Sequence, residues 1–216
     1  MWWSKEKIYY YINAAEKSSF HENLASVIMP HICRNKMILD AGCGLGYLAS
    51  ILKEEGYEIK AIDNDESVIK EAERIHKKHI FSAADAFALT DVYETIILSF
   101  FGNIRENLDY FLSHVSGNLI YITSAHSGVI SGFRKDKSCD IDIFLASRDI
   151  KFKKEEHEFH FDQVLKSIDE AYDFMSITYS SSAISKLEKN EDEEFPFVIK
   201  NRKKIYVYVI EKEEET

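Results

Sequence analysis

Apolar and polar positions along this chain follow two periods, and the period switches repeatedly. In the first thirty or so residues the spacing is helical: Ile8, Tyr11, Ile12 and Ala15 share one face, and Leu24, Val27 and Ile28 share another. Ser18, Ser19 and Phe20 separate the two predicted helices. From Met37 onward, short apolar runs alternate with amphipathic stretches. The pattern predicts strands at 37–40, 57–62, 79–82, 94–99 and 119–123, and helices at 46–55, 66–76 and 103–114. Strands that alternate with helices build a parallel sheet with helices on both faces. Ligands of such sheets sit at the carboxyl ends of the strands, where Asp40, Asp63, Asp85, Ser99 and Ser124 fall. The second half is less regular. Its pattern predicts helices at 139–147, 164–174 and 182–189, a partly exposed strand at 151–161 and a last strand at 204–210.

At 216 residues the chain is long enough for one domain with a full core. No linker, repeat or low-complexity stretch divides it. No apolar run reaches membrane-spanning length, and the start, Met1-Trp-Trp-Ser-Lys-Glu-Lys, has no signal-peptide pattern. A cytoplasmic, soluble protein is expected. Cys33, Cys43 and Cys139 form no C-x-x-C pair, so a disulfide framework is not expected. A net charge of −10 argues against nucleic acid as substrate, because a basic surface is needed to neutralise phosphates. The one basic stretch, 200–204, reads as the solvated start of a strand, and 211–216 as a frayed acidic tail.

The richest segment is Asp40-Ala-Gly-Cys-Gly-Leu-Gly46. A buried strand ends in a glycine turn and a helix starts at once, which lets a ligand approach the backbone and free helix N–H groups. Asp63 ends the next apolar run, where an acidic side chain suits a ribose diol. A tight loop with no ligand is the plainer alternative, and Asp65 fits a helix N-cap better than Asp63 does. The dinucleotide fingerprint G-x-G-x-x-G does not match, since Tyr47 stands where its third glycine belongs, and no phosphate loop follows the turn. His76 and His79 have lysines between them and no convergent carboxylate. His157 and His160, three apart in a strand, point to opposite faces. No metal site is therefore expected. A serine hydrolase elbow is absent.

The string from Ile38 to Ala49 resembles the first motif of class I S-adenosylmethionine (SAM)-dependent methyltransferases. The resemblance continues in register through 61–69, 82–87, 93–101 and 116–122, five motifs within residues 37–123. It implies a Rossmann-like, doubly wound α/β fold. Its mostly parallel sheet has seven strands with the last antiparallel, and residues 1–34 form an N-terminal helical lid. Residues 37–123 would be the SAM-binding core, and 124–216 the substrate side and the remaining strands. The cofactor would be SAM and its product S-adenosylhomocysteine (SAH).

The same resemblance assigns roles. Asp40 orients the turn and reaches the methionine amino group through water. Gly42, Cys43 and Gly44 let the backbone approach the methionine half, with Cys43 a small residue rather than a reactive thiol. Asp63 accepts from the ribose hydroxyls and Asn64 flanks the adenine. Asp85 accepts from adenine N6, and the Ala86 N–H reaches the ring. Ser99 lies where the end of strand four passes the methyl donor. Strand four lacks the Pro-Pro signature of amino methyltransferases that act on DNA bases. Phe100 and Phe101 either wall a pocket or belong to the core. Tyr9, Tyr10, Tyr11, Phe20 and His21 are candidate lid residues or ordinary core aromatics. If the acceptor must lose a proton, His126 is the first candidate base and His21 the second; a solvated loop histidine is the alternative for His126. The expected partner is a small-molecule acceptor methylated on O or N, with no nucleic acid and no membrane. A protein methyltransferase, a non-catalytic SAM-binding scaffold and an aminopropyl transferase are the competing readings.

Overall fold

The structure is a computed structural model that describes residues 3–125, 137–178 and 186–212. Two helices come first, α1 (Lys5–Glu16) and α2 (Phe20–Ile28), followed by a 3-10 turn at Met29–His31. The alternating core follows as β1 (Ile38–Ala41), α3 (Tyr47–Glu54), β2 (Ile59–Asp63), α4 (Glu66–His76), β3 (Phe81–Ala83), β4 (Tyr93–Ser99), α5 (Ile104–Ser113) and β5 (Val115–Ser124). The remainder is α6 (Lys137–Ser147), β6 (Phe152–His160), β7 (Gln163–Leu165), α7 (Ile168–Thr178), β8 (Leu187–Lys189), β9 (Phe197–Ile199) and β10 (Arg202–Glu211).

Helix starts follow local chemistry. The Asp65 carboxylate accepts the Ser67 N–H at 3.0 Å and opens α4, and Asn103 does the same for the Arg105 N–H at 3.2 Å and α5. α3 instead starts from Gly46, whose φ of +73° lies in the left-handed region. A Cβ there would stand 2.3 Å from the Phe81 ring, so glycine is required both by conformation and by packing.

Seven strands form the main sheet in the order β3-β2-β1-β4-β5-β10-β6. β1 to β5 are mutually parallel, and β10 runs antiparallel to both β5 and β6. This is the expected doubly wound sheet with an antiparallel last strand. The pleat sorts side chains into two layers. Ile38, Ile59, Ala61, Ile97, Ile120, Ile122, Ile205 and Val207 face α1 to α4. Leu39, Ala41, Ile96, Leu98, Leu119, Tyr206 and Tyr208 face α5 and α6.

One predicted helix starts later than expected, and the end of another is a strand. Residues 163–165 pair with β9, and the helix starts only at Ile168, where the Ser167 hydroxyl accepts the Glu170 N–H at 3.1 Å. Leu187–Lys189 also pairs with β9, while 179–185 lies outside the described residues. The resulting three-stranded sheet, β7-β9-β8, was not expected. It packs with α7 against the outer face of α1, through Tyr10, Leu165, Ala171, Met175 and Ile199. The buried Gln163 amide donates to the Tyr10 carbonyl at 3.2 Å. Among the described residues, no helix is long and apolar enough to cross a membrane.

Candidate active site

The pleat alone places four polar side chains together. Asp40 follows Ile38 by two residues, Asp63 follows Ala61, Ser99 follows Ile97, and Lys203 precedes Ile205. All four therefore share the sheet face turned toward α1 and α2. The first three stand at the carboxyl ends of parallel strands. Lys203 joins them because an antiparallel strand brings its beginning, not its end, to that edge. Above them α1 and α2 close a cavity of about 760 Å³, within the range of small-molecule sites.

The glycine turn forms one wall. The N–H groups of Gly42 and Cys43 both donate to the Ile62 carbonyl, at 2.8 and 2.9 Å, which pins the turn to the end of β2. One Asp63 carboxylate oxygen accepts the Gly44 N–H at 3.0 Å and the other the Asp65 N–H at 3.0 Å. Each oxygen keeps acceptor capacity for a ligand. Asp63 thus organises the turn between β2 and α4, while Asp65 caps α4, so the two acids divide the roles that the sequence left open. Gly42 has a φ of +74°, and a Cβ there would lie 2.3 Å from the Phe101 ring. At Gly44 the nearest group is the Trp3 ring of the lid, at 3.1 Å from the position of a Cβ.

Asp40 is the unusual member. It is 1% exposed, and its Oδ1 has no hydrogen-bond partner. Burial, with the neighbouring Asp63 charge, pushes its carboxyl up to about 7. A buried acceptor with no donor fits a ligand that brings one, such as an ammonium group. Burial likewise pushes the Cys43 thiol well above its ordinary value, with Asp40 and Asp63 adding to the effect, which disfavours a thiolate there.

Of the three consecutive tyrosines near the N-terminus, one faces the cavity. Tyr11 lines it, Tyr10 packs into the small-sheet core and Tyr9 is exposed. Phe20 and His21 also line it. His21 is buried, shares a 2.9 Å hydrogen bond between Nε2 and the Tyr11 hydroxyl, and stacks on Tyr47 at 5.0 Å between ring centres. Its Nδ1 has no partner, and desolvation, followed by the charge of Lys203, drives it down to about 3. Tyr47 also meets His76 edge-on at 4.9 Å, so the large residue that breaks the dinucleotide pattern fills the space beside α3. His76 itself is held by the Leu45 carbonyl at 2.9 Å.

Of the residues expected from the sequence, Asp40, Gly42, Cys43, Gly44, Asp63, Asn64, Ser99 and His21 come together around the cavity, as do Phe100 and Phe101. Asp85 and Ala86 do not line it. Asp85 is exposed beyond β3 and accepts the Phe87 N–H at 2.9 Å, while Ala86 is buried in the opposite layer. His126 lies outside the described residues. Phe100 has a φ of +55° and stands about half exposed at the tip of β4, a strained conformation of the kind that clusters at functional sites. Lys203 and Trp3 were missed. The signal for Lys203 was the apolar alternation 205-207-209, which runs back to 203.

A family model described as a methyltransferase domain matches residues 16–140, more than half of the chain. No curated protein matches it by sequence. Several solved structures share its fold. The protein 1320 of Thermoplasma acidophilum is 15% identical, with a TM-score of 0.59 over 98% of this chain and 100% of that one. The YcgJ protein of Bacillus subtilis is 14% identical, with a TM-score of 0.57 over 90% of this chain and 100% of that one. Magnesium protoporphyrin IX methyltransferase (ChlM) of Synechocystis PCC 6803, solved with bound SAM, is 13% identical, with a TM-score of 0.55 over 96% of this chain and 84% of that one.

Proposed function

The chain belongs to the methyltransferase-domain family and is a SAM-dependent methyltransferase; from that premise we propose that it methylates an oxygen or nitrogen atom of a small molecule. SAM supplies a methyl group already activated on a sulfonium. The protein's own task is then to bind, orient and exclude water. The observation that carries the reading is the buried Asp40 Oδ1, without a donor, beside the glycine turn, with Asp63 at the tip of the neighbouring strand. Asp40 is assigned to the cationic amino group of the cofactor's methionine half, and Gly42, Cys43 and Gly44 to close backbone approach. Asp63 keeps acceptor capacity for the ribose hydroxyls, beside Asn64. Asp85 and the Ala86 N–H are assigned to the adenine end, and Ser99 to the methyl-transfer end.

A small acceptor is favoured because α1 and α2 roof the cavity, which leaves little access for a folded protein side chain. The net charge of −10 disfavours nucleic acid. An acceptor that must lose a proton calls for a base. His126 is the first assignment and His21 the second, although burial makes the His21 imidazole a reluctant proton acceptor. The test is calorimetric titration with SAM and SAH, with Asp63→Ala as control. Both ligands are expected to bind the wild type, and the substitution to weaken them by about 1.5–3 kcal/mol, the value of a charge-assisted hydrogen bond. Unchanged affinity in Asp63→Ala would displace the ribose assignment, and no binding to the wild type would favour the scaffold reading.

A further inference from the structure

The basic stretch at the start of β10 divides by its partners. Lys200 reaches Asp162 at 3.1 Å, Arg202 reaches Glu158 at 3.5 Å and Lys204 reaches Glu156 at 2.8 Å. Strand alternation turns Lys203 away from Arg202 and Lys204 and into the cavity. No ion pair or hydrogen bond joins it to another of the described residues. Its ammonium nitrogen lies instead 4.1 Å from the centre of the Phe161 ring, 5.1 Å from Phe20 and 5.9 Å from Phe100. These rings come from the end of β6, the start of α2 and the tip of β4, so three elements converge on one cation.

Ring faces attract a cation, but they do not neutralise it. The chain has 37 acidic residues, so counter-ions are not scarce; none of the described ones pairs with Lys203. The charges around the cavity are also sorted by sign. Asp40 and Asp63 sit together at the glycine turn, where burial and then the Asp63 charge push the Asp40 carboxyl up. Lys203 sits at the aromatic end, close enough to His21 to disfavour its protonation. The acidic end suits the cationic part of the cofactor, which leaves the cationic end for a ligand of opposite charge.

We propose that Lys203 recognises a carboxylate on the methyl acceptor, and that the acceptor is a small aromatic acid. The inference rests on the methyltransferase reading of the same cavity. The rings of Phe20, Phe100 and Phe161 supply flat apolar walls for such a frame, and the ammonium supplies the one charge that fixes its orientation. Burial lowers the amine to about 8, so the ammonium form still dominates at neutral pH, and an arriving carboxylate strengthens it. Lys203 is a specificity residue in this scheme, with no part in moving the methyl group.

The experiment titrates the SAH-loaded protein at pH 7 with benzoate, benzamide and benzylamine, which share a ring and differ in charge. Benzoate is expected to bind at least about ten-fold tighter than benzamide, the effect of one charge-assisted contact, and benzylamine more weakly than either. Lys203→Met should bind SAH as the wild type does and lose the preference for benzoate, and Lys203→Arg should keep most of it. Equal affinity for benzoate and benzamide on the wild type, or undiminished benzoate binding in Lys203→Met, would overturn the proposal. The SAH titration separates the two readings. A wild type that does not bind SAH removes the cofactor assignment, whereas SAH binding without a benzoate preference removes only the role of Lys203.

Discussion

Asp40 is a buried acid whose desolvation costs stability at neutral pH and whose proposed role in cofactor binding would offset that cost. In the free protein its carboxyl is buried without a donor and titrates at about 7, against an ordinary value of 3.8. The folded state therefore holds a proton that the unfolded chain has released between those two values. Stability contributed by this group is present below about 3.8 and is lost as pH rises through about 7. Asp40→Asn removes the charge and keeps the shape. At pH 8 the variant should unfold at a higher temperature than the wild type, by an amount on the order of 3 kcal/mol in stability, and should bind SAH more weakly. A thermal scan and a titration on the same sample check both halves; a variant that is less stable at pH 8 would mean that Asp40 has a donor. Asp40 was visible in the sequence as the last residue of a strand. Its lack of a donor was not, because that depends on which backbone N–H groups the turn directs elsewhere.

At the scale of elements, the small sheet β7-β9-β8 explains how a two-helix lid is held in place. α1 presents Ala14 and Ala15 to the main core and Tyr10 to the small-sheet core. The Gln163 amide fixes the helix from behind by donating to the Tyr10 carbonyl and to the Val164 carbonyl, at 3.2 and 3.1 Å. Gln163→Ala removes this second donor from the Tyr10 carbonyl, at a cost of about 0.5–1.5 kcal/mol. The loss should be local. Hydrogen exchange is expected to speed up in α1 and to stay unchanged in β1, β4 and β5, and SAH binding should weaken because α1 roofs the cavity. Exchange that rises equally throughout the sheet would show that the small sheet supports the whole fold rather than the lid. Residues 164–165 and 187–189 were read as ends of helices because three-residue strands are too short to show a period. Only pairing with β9 defines them.

Taken whole, the molecule carries an acid-sensitive centre in His21. Its imidazole is neutral in the fold and titrates at about 3, against 6.5 unfolded, so between those values the unfolded chain binds the extra proton. The stability it contributes is complete above about 6.5 and declines as pH falls toward 3. Glu155, held down to about 2 by Lys153 and then by His157 and His31, acts in the same direction below its ordinary 4.5. Melting temperature is expected to fall steadily from pH 6.5 to 4, and His21→Phe should flatten the upper part of that fall. An unchanged slope in the variant would mean that the ring is reached by water. The sequence by itself determined the strand–helix alternation, the glycine turn, the acids at the ends of β1 and β2, and hence the fold and the edge at which those acids gather. These are local properties, written in periods of two and of about 3.6 and in the φ that only glycine adopts readily. The tertiary structure alone decided that a small sheet braces α1 from outside, that Tyr11 faces the cavity while Tyr10 does not, and that an antiparallel last strand brings Lys203 to the same edge as the acids. Each of those depends on residues far apart in the chain meeting in space, which no local pattern records.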